Sequence, residues 1–437
     1  MSLSGGNVKE FPGPKALAVL EKAKKYYATT TQNSRVVVKS GEGAIVTDVD
    51  GNQFFDLHCD ASVNNLGRNN SGIRTRIIEQ SVTGNMFSEH HSAPNAKATD
   101  FAEILCEKSP VPKPAKVFFS NSGAEANEAA RKLCRAYRLR KGEAYRKTNI
   151  YFFNGFAGRT KGVLAATSSK PEVQRDPFWD HCDQVNSLYL PYPREISFEQ
   201  TLKRFENFML EHVDSLLIEL SCQGEGGIIP ASAYAVSRII EKAQAAGVIC
   251  IVDAIQCGMG RDGSMFGCDH LAFGITPDIL TMGKALGGGL PIGATIFRGD
   301  LDFEKKGQHS NTFGGGPMVM SSAIEAFFQI EKMLSLGFVG ILENILSENL
   351  LEIYSRHPNI MAKKPRGRGA MWALEFVSAE IRDLVIQRSE EAVTIEGKGL
   401  RLLGAGDKSI RFMPPLNIAP EDLKRALGIF DRTLLRF

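Results

Sequence analysis

Apolar segments of strand length alternate with longer segments of helical period along the middle of the chain. The strand candidates are 116–119, 149–153, 186–190, 215–219, 248–252, 279–281 and 292–297. Segments with apolar residues three and four positions apart accompany them, at 95–107, 124–140, 198–210, 231–246 and 318–334. Because strands that alternate with helices pair in parallel and are covered by helices on both faces, the pattern predicts an α/β fold around a mostly parallel sheet.

The two ends of the chain follow a different pattern. Residues 14–27 predict an amphipathic helix, and Asp50 and Gly51 form a tight-turn dipeptide between two short strands. The C-terminal part predicts helices, two strands, the second ending near Arg411, and a last helix. We therefore expect a large domain over 71–327 and a smaller α+β domain over 328–437, to which the N-terminal helix and hairpin of 1–70 contribute.

Composition narrows the class of function. The 437 residues are 43% hydrophobic and 23% charged, with a formal net charge of only +3, so no strong field favours nucleic acid or an anionic membrane. The eight cysteines contain no Cys-x-x-Cys pair and read as reduced core thiols. The N-terminus lacks the apolar stretch of a signal peptide, and no segment approaches the ~18 apolar residues of a membrane span. We expect a cytoplasmic protein that acts on small molecules.

Lys284 is the most informative residue, because it ends an apolar strand and is followed by Gly287–Gly289. A lysine that is desolvated there can react as a neutral amine, which suits a Schiff base. Asp253 ends another apolar strand, where open α/β sheets bind ligands, and a carboxylate there can pair with a protonated pyridine nitrogen. Gly123 and Ala124 open a helix directly after a strand, in the manner of a phosphate site. These parts together are those needed to hold pyridoxal phosphate.

Two further residues follow the strand that ends near 153. Phe156 lies between glycines, so its ring has room to stack on a flat cofactor. Arg159 is a candidate for bidentate binding of a substrate carboxylate.

Three other patterns could indicate a dinucleotide, a metal or a nucleic-acid site, and we reject all three. Gly258, Gly260 and Gly263 match the spacing of a dinucleotide-binding turn, but they do not stand at the junction of a strand and a helix. His90 and His91 lack a third ligand at metal-binding spacing, so no metal site is predicted. The basic residues over 131–141 have no interleaved aromatic residues and are typical of a solvated helix face, so nucleic acid is not expected as a partner.

The motifs together resemble the class III, fold type I pyridoxal-phosphate-dependent aminotransferases, which include 4-aminobutyrate, ornithine and acetylornithine aminotransferases. The resemblance covers about 41–437, and its most specific part is Pro277–Gly293 around Lys284. It implies a large, mostly parallel seven-stranded sheet domain with helices on both faces, and a smaller α+β domain from both termini.

The resemblance also implies a set of cofactor-binding roles. Lys284 would form the Schiff base, Asp253 would pair with the pyridine nitrogen and Gln256 would approach the ring hydroxyl. Gly123 and Ala124 would bind the phosphate, and the ring would lie between Phe156 and Ile255. Thr312 matches a residue that reaches the phosphate of the partner subunit's cofactor, which implies a homodimer with the active site at the subunit interface.

Substrate-binding roles follow from the same resemblance. Arg411 matches the arginine that receives a substrate carboxylate, and Glu225 matches the residue that covers this arginine when the substrate end is uncharged. Glu219 stands one position away from the family's usual glutamate, which on a strand would turn it to the other face. Ala157 replaces a larger residue, so we expect a roomier substrate wall.

The sequence thus predicts an aminotransferase that moves an amino group from an amino acid, such as the ω-amino acid 4-aminobutyrate, to a 2-oxo acid such as 2-oxoglutarate. The alternative is a racemase or epimerase on the same fold, because Lys284 and Asp253 serve both reactions. A non-catalytic regulator that binds the cofactor is a third possibility, which the absence of an appended DNA-binding segment disfavours.

Overall fold

A computed structural model describes residues 10–29, 34–85, 93–181, 186–194, 198–270 and 274–437. The strands are β1 (Val38–Glu42), β2 (Ile45–Asp48), β3 (Gln53–Asp56), β4 (Ala115–Ser120), β5 (Thr148–Phe152), β6 (Ser187–Leu190), β7 (Val213–Glu219), β8 (Cys222–Gln223), β9 (Ile229–Pro230), β10 (Ile249–Asp253), β11 (Ile279–Gly283), β12 (Gly293–Arg298), β13 (Met361–Arg368), β14 (Met371–Phe376), β15 (Gly399–Arg401), β16 (Leu403–Ala405) and β17 (Ser409–Phe412). His90 and His91 lie outside the described residues.

The helices are α1 (Pro14–Tyr26), α2 (Cys59–Ser62), α3 (Ser71–Ser81), α4 (Ala96–Lys108), α5 (Gly123–Arg140), α6 (Lys161–Leu164), α7 (Pro171–Gln174), α8 (Phe198–Glu206), α9 (Ala233–Ala245), α10 (Pro317–Ser335), α11 (Phe338–Arg356), α12 (Ala379–Glu391), α13 (Val393–Glu396) and α14 (Pro420–Leu434). Short 3₁₀ turns occur at Asp176–His181, Leu210–His212, Lys284–Gly287 and Gly299–Leu301. The four residues of α2 all have positive φ, so this segment is a left-handed turn and not a regular helix.

A seven-stranded sheet with the order β4-β12-β11-β10-β7-β5-β6 forms the centre of the molecule. The strands β6, β5, β7, β10 and β11 pair in parallel, whereas β12 runs antiparallel to both of its neighbours. Every residue of β7, β10 and β11 is buried, as expected for parallel strands that are covered on both faces. The predicted α/β fold with a mostly parallel seven-stranded sheet is confirmed.

The two faces of this sheet pack into different cores. On β10, Cys250 and Val252 belong to a cluster with residues of α4, α9 and α10, whereas Ile249 and Ile251 pack with residues of α5. Side chains alternate between the faces of a strand, so the continuous apolar run supplies both cores. The sheet is therefore held rigidly between two helical layers, and its carboxyl edge is a fixed platform for polar side chains.

Two smaller sheets contain the ends of the chain. In one of them, β15 pairs in parallel with β3 of the N-terminal hairpin. This pairing joins the N-terminal and C-terminal parts of the chain. In the other, β13, β14, β17 and β16 are antiparallel. The helix α10 runs across the boundary expected at 327/328, and the division into domains at 70/71 and 327/328 stays a prediction.

The helices and the metal-binding types of side chain in the described ranges bear on two other classes of protein. No single helix there is long and apolar enough to span a membrane, although the bent pair of α10 and α11 reaches the required length and apolarity together. Within the same ranges, no group of three or more histidine, cysteine, aspartate or glutamate side chains is arranged to hold a metal ion.

Candidate active site

A cavity of about 540 Å³ opens at the carboxyl ends of β7, β10 and β11. Polar and apolar side chains from several elements converge on it, as in a small-molecule site. Its lining residues are Gly123, Ala124, Asn127, Phe156, Ala157, Gly158, Glu219, Glu225, Asp253, Ile255, Gln256 and Lys284.

Asp253 is buried at the end of β10, and both of its carboxylate oxygens are hydrogen-bonded. The Nδ2 group of Asn127 donates to Oδ2 at 2.7 Å, and the N–H of Ile255 donates to Oδ1 at 2.9 Å. Thr281 Oγ1 in turn donates to Oδ1 of Asn127 at 2.7 Å, which fixes the orientation of the amide. Burial raises the pKa of Asp253 to about 6, although the hydrogen bonds oppose this effect. A cationic ring nitrogen beside it would favour the ionised form.

Lys284 follows the last residue of β11 and has a positive φ of 48°. This backbone conformation is uncommon for a side chain other than glycine, and it occurs where the strand turns abruptly into the 3₁₀ segment. Burial lowers the pKa of Lys284, although the carboxylates of Glu225 and Asp253 oppose the change. The amine is therefore easier to deprotonate than that of an exposed lysine.

The start of α5 forms one wall of the cavity. Ser122 caps the helix by accepting a hydrogen bond from the N–H of Glu125 at 3.2 Å, and the Glu125 carboxylate accepts from the N–H of Asn121 at 2.6 Å. A Cβ atom on Gly123 would lie only 2.8 Å from Ile255 Cδ1. A larger residue at this first helical position would require Ile255 to move, and glycine leaves the positive end of an 18-residue helix beside the cavity.

Glu225, which lines the cavity, forms a bidentate ion pair with the buried Arg411. Arg411 donates to the two carboxylate oxygens of Glu225 at 2.7 and 3.0 Å, and it also donates twice to the carbonyl oxygen of Gly404. Burial alone would raise the pKa of Glu225, but Arg411 outweighs burial and lowers it to about 2. The paired carboxylate is therefore ionised at neutral pH, and the pairing shows that Arg411 presents two donors to one carboxylate.

Glu219 also lines the cavity, which corrects the concern raised by its offset in the sequence. It is the last residue of β7, and its register partner on β10 is Asp253. The side chain accepts hydrogen bonds from the N–H of Phe156 at 2.9 Å and of Gly224 at 3.1 Å. Burial, and then the charge of Asp253, raise the pKa of Glu219 to about 8.

Besides Arg411, which is paired with the lining residue Glu225, two of the predicted site residues do not line this cavity. Arg159 is exposed to solvent. Thr312 is exposed on the loop before α10, which is held against β4 by a hydrogen bond from Asn311 Nδ2 to the carbonyl oxygen of Phe119 at 2.8 Å. The single chain therefore does not bring either residue to Lys284, and the roles expected for both stay predictions.

Asn127 and Gly158 line the cavity but were not singled out from the sequence. Asn127 stands four residues after Gly123, and helical spacing puts positions i and i+4 on the same face, so this signal was available. Gly158 has a φ of 131°, and a Cβ there would lie 2.7 Å from the Cβ of Ala124. Its position depends on the packing of a loop against α5, for which the sequence has no simple signal.

The residues present fit pyridoxal phosphate. Asp253 can pair with a ring nitrogen, Phe156 and Ile255 offer apolar surface, and the start of α5 suits a phosphate. The amide oxygen Oε1 of Gln256 is buried without a hydrogen-bond partner within the described part of the chain. A hydroxyl group of a ligand would supply the missing donor.

Comparison with known proteins agrees with this site. Residues 26–434 match the family model described as Aminotransferase class-III. The chain is 32% identical over 415 residues to acetylornithine aminotransferase of Clostridium acetobutylicum, covering 94% of this chain and 100% of the relative. It is 32% identical over 418 residues to the acetylornithine aminotransferase of Methanocaldococcus jannaschii, covering 93% and 96%.

Solved structures give the same result. The ornithine aminotransferase of Toxoplasma gondii ME49 superposes with a TM-score of 0.83 at 25% identity, covering 96% of this chain and 95% of that chain. A second structure of the Toxoplasma gondii enzyme, described as having partial occupancy of PLP at the active site, has a TM-score of 0.82 at 26% identity, covering 96% and 94%. The sequence match, the fold and the site around Lys284 lead to one conclusion: this chain belongs to the class-III aminotransferases, which depend on pyridoxal phosphate.

Proposed function

We propose that this enzyme transfers the terminal amino group of a carboxylate-bearing amine, such as 4-aminobutyrate or N-acetylornithine, to a 2-oxo acid such as 2-oxoglutarate. The observation that carries this proposal is the bidentate pair between Arg411 and Glu225, which lines the same cavity as Lys284. The first donor follows from the sequence resemblance, and the second from the names of the curated relatives.

The ion pair suits an enzyme that must accept two different substrates in turn. A terminal amine has no carboxylate beside the reacting carbon, so Glu225 can stay on Arg411 and keep the guanidinium paired. A 2-oxo acid carries a carboxylate next to the reacting carbon, and this group can replace Glu225 in the same bidentate geometry. Leaving either partner buried and unpaired would cost roughly 3–5 kcal/mol, so exchange of one carboxylate for another is favoured over simple opening.

The cofactor would be held by residues that already line the cavity. The N–H groups of Gly123 and Ala124 would bind the phosphate, Asp253 the ring nitrogen and Gln256 the ring hydroxyl. Phe156 and Ile255 would contact the two faces of the ring. When bound, pyridoxal phosphate supplies the aldehyde that takes up the amino group and a ring that withdraws electrons from the substrate carbon.

The protein residues supply the proton transfer and the electrostatic support. The Nζ atom of Lys284 would take a proton from the substrate carbon that bears the amino nitrogen. It would then return this proton to the aldehyde carbon of the cofactor. Its lowered pKa supports this role, because only the neutral amine accepts a proton. The carboxylate of Asp253, oriented by Asn127, would keep the ring nitrogen protonated. Arg159 is kept as a candidate for contact with a substrate carboxylate.

A homodimer is part of the proposal. Thr312 is exposed on a loop that Asn311 anchors and that contributes no residue to the lining of the chain's own cavity, which supports a contact with the cofactor of a partner subunit. A cytoplasmic location is also proposed. Named relatives include a clostridial enzyme as well as mitochondrial enzymes of yeasts.

The test is a donor and acceptor screen with the enzyme loaded with cofactor. Each of 4-aminobutyrate, N-acetylornithine and ornithine is incubated with 2-oxoglutarate, and glutamate formation is measured. Glutamate from at least one terminal amine is expected, and its absence with all three would contradict the proposed donor class. Racemisation of a single amino-acid enantiomer without any 2-oxo acid would favour the racemase alternative, which the family match does not support.

A further inference from the structure

A second cavity, of about 1080 Å³, lies in the cleft between the loops of the large sheet and the antiparallel sheet of β13, β14, β17 and β16. It shares no lining residue with the cavity of Lys284. Among the described residues, four cationic side chains line it, against the two acidic side chains of Glu375 and Asp407, so these residues carry an excess of two positive charges. The cations are Arg194, Lys363, Arg366 and Lys408.

One part of this wall is a fixed scaffold. Arg366 donates to Glu375 at 2.9 Å, to the carbonyl oxygen of Gly227 at 2.7 Å and to Ser409 Oγ at 2.9 Å. Lys363 contacts the other oxygen of Glu375 at 2.9 Å. Burial, and then the charge of Arg194, act to lower the pKa of Arg366 although Glu375 opposes them. One carboxylate is therefore shared by two cations, which leaves the cleft short of negative charge.

The remaining two cations make no direct ion-pair contact with the described residues, although the charge of Lys408 acts on Glu375 from a greater distance. Among the residues that the structure describes, neither Arg194 nor Lys408 forms an ion pair. Arg194 follows β6 in the large part of the molecule, whereas Lys408 stands in the turn between β16 and β17. Both are partly buried, so water screens their charges less than those of fully exposed side chains.

We propose that this cleft is a second ligand site, which binds a small dicarboxylate between Arg194 on one side and Lys408 with Lys363 on the other. A dianion matches the excess of two positive charges, and two separate carboxylates match cations that come from two different parts of the fold. The planar guanidinium of Arg194 suits a carboxylate in bidentate contact, and the lysines add point charges. The inference does not depend on which donor or acceptor the active site uses.

The cleft is connected with the active site through the loop that carries Glu225. The N–H of Gly406 donates to the carbonyl oxygen of Glu225 at 2.7 Å, and Arg366 holds the carbonyl oxygens of Gly227 and Ile228. The loop that carries Glu225 is thus attached to two elements of the cleft. A ligand that bridges the cleft would hold this loop between the two parts of the molecule.

The experiment measures binding of radiolabelled glutarate to the cofactor-loaded enzyme by equilibrium dialysis. Glutarate has two carboxylates but neither an amine nor a keto group, so it does not react. We expect that Arg194→Gln combined with Lys408→Gln weakens its binding by about tenfold or more, since two charge contacts are lost. Lys364→Gln, which removes an exposed lysine of β13 outside the cleft, is the matched control and should bind like the wild type.

Arg411→Gln separates this site from the active site, because it removes the guanidinium that would capture a carboxylate near Lys284. Glutarate binding that persists in Arg411→Gln and is lost in the double variant supports the proposal. Binding that is lost in Arg411→Gln and kept in the double variant, or no binding to the wild type, would overturn it. Inorganic phosphate is the second probe, and tighter binding of phosphate than of glutarate would refute the dicarboxylate assignment. The visible absorbance of bound cofactor verifies that each variant is folded.

Discussion

Glu219 and Asp253 are register partners on the adjacent parallel strands β7 and β10, and their two buried carboxyl groups line the same cavity. Glu219 has two backbone N–H donors, whereas Asp253 has one backbone donor and the amide of Asn127. Burial raises the pKa of both, to about 8 for Glu219 and about 6 for Asp253. At neutral pH the pair therefore carries a proton on Glu219 and a charge on Asp253, and each group is suited to a different task.

This pair predicts a pH dependence of stability in the cofactor-free protein. The pKa of Glu219 is raised in the folded state from an ordinary value of 4.5, so the folded protein binds more protons than the unfolded protein between about 4.5 and 8. The contribution of Glu219 to the free energy of unfolding is fully present below pH 4.5 and is lost as the pH rises to about 8. The free energy of unfolding falls over this range by up to about 1.4 kcal/mol per pH unit. Glu219→Gln should remove this part of the slope, measured as thermal unfolding midpoints between pH 5 and 8. Glu21→Gln, at an exposed position, is the control and should retain it.

Lys284→Ala should abolish turnover but leave the cofactor bound through its phosphate and ring nitrogen. We expect a loss of about a thousandfold or more in the rate of glutamate formation, because the proton-transfer group is removed. Cofactor content, measured by absorbance after release in alkali, should stay near that of the wild type. Lys306→Ala changes an exposed lysine and should be fully active. Substantial activity of Lys284→Ala would contradict the assignment.

Asn127→Ala should weaken cofactor binding, although Asn127 acts through Asp253 and not by contact with the reacting carbon. The substitution removes the donor to Asp253 Oδ2 and leaves a buried carboxylate oxygen unsatisfied, at a cost of about 1–3 kcal/mol. We expect an increase of about tenfold in the dissociation constant of pyridoxal phosphate, measured by titration of the cofactor-free protein. Thr281→Val removes only the hydroxyl that orients the amide, so it should act in the same direction with a smaller effect. Equal cofactor affinity in Asn127→Ala and the wild type would argue against this role.

Glu225→Gln should change the two half-reactions in opposite directions. The neutral amide no longer competes for Arg411, so the KM for 2-oxoglutarate should fall by about tenfold, equivalent to about 1.4 kcal/mol. The KM for a terminal amine should rise, because Arg411 is left without its charge partner in that half-reaction. Steady-state kinetics with each substrate varied in turn would measure both values. A shift of both KM values in the same direction would contradict the exchange of carboxylates on Arg411.

Much of the fold could be predicted from local pattern, with particular exceptions. The strands of the large sheet were predicted because mainly apolar segments of three to six residues supply both of its cores. Ser71–Ser81 was not predicted as a helix, because only Ile73 and Gln80 are buried on it and the apolar period is weak. The left-handed turn at Cys59–Ser62 has no sequence signal, since none of its residues is glycine.

The sequence by itself determined the mostly parallel sheet, the dependence on pyridoxal phosphate and the family, because these follow from apolar periodicity and from the motif around Lys284. Tertiary structure alone decided that Glu219 stays level with Asp253 and that Arg159 is turned to solvent. The meeting of Glu225 with Arg411, 186 residues away, was implied by the family resemblance and not by any local pattern. The physical reason is that strand pairing and loop packing join residues that are distant along the chain. Local propensities carry no information on such contacts, because the contacts form only when the sheet and its loops have reached their tertiary arrangement.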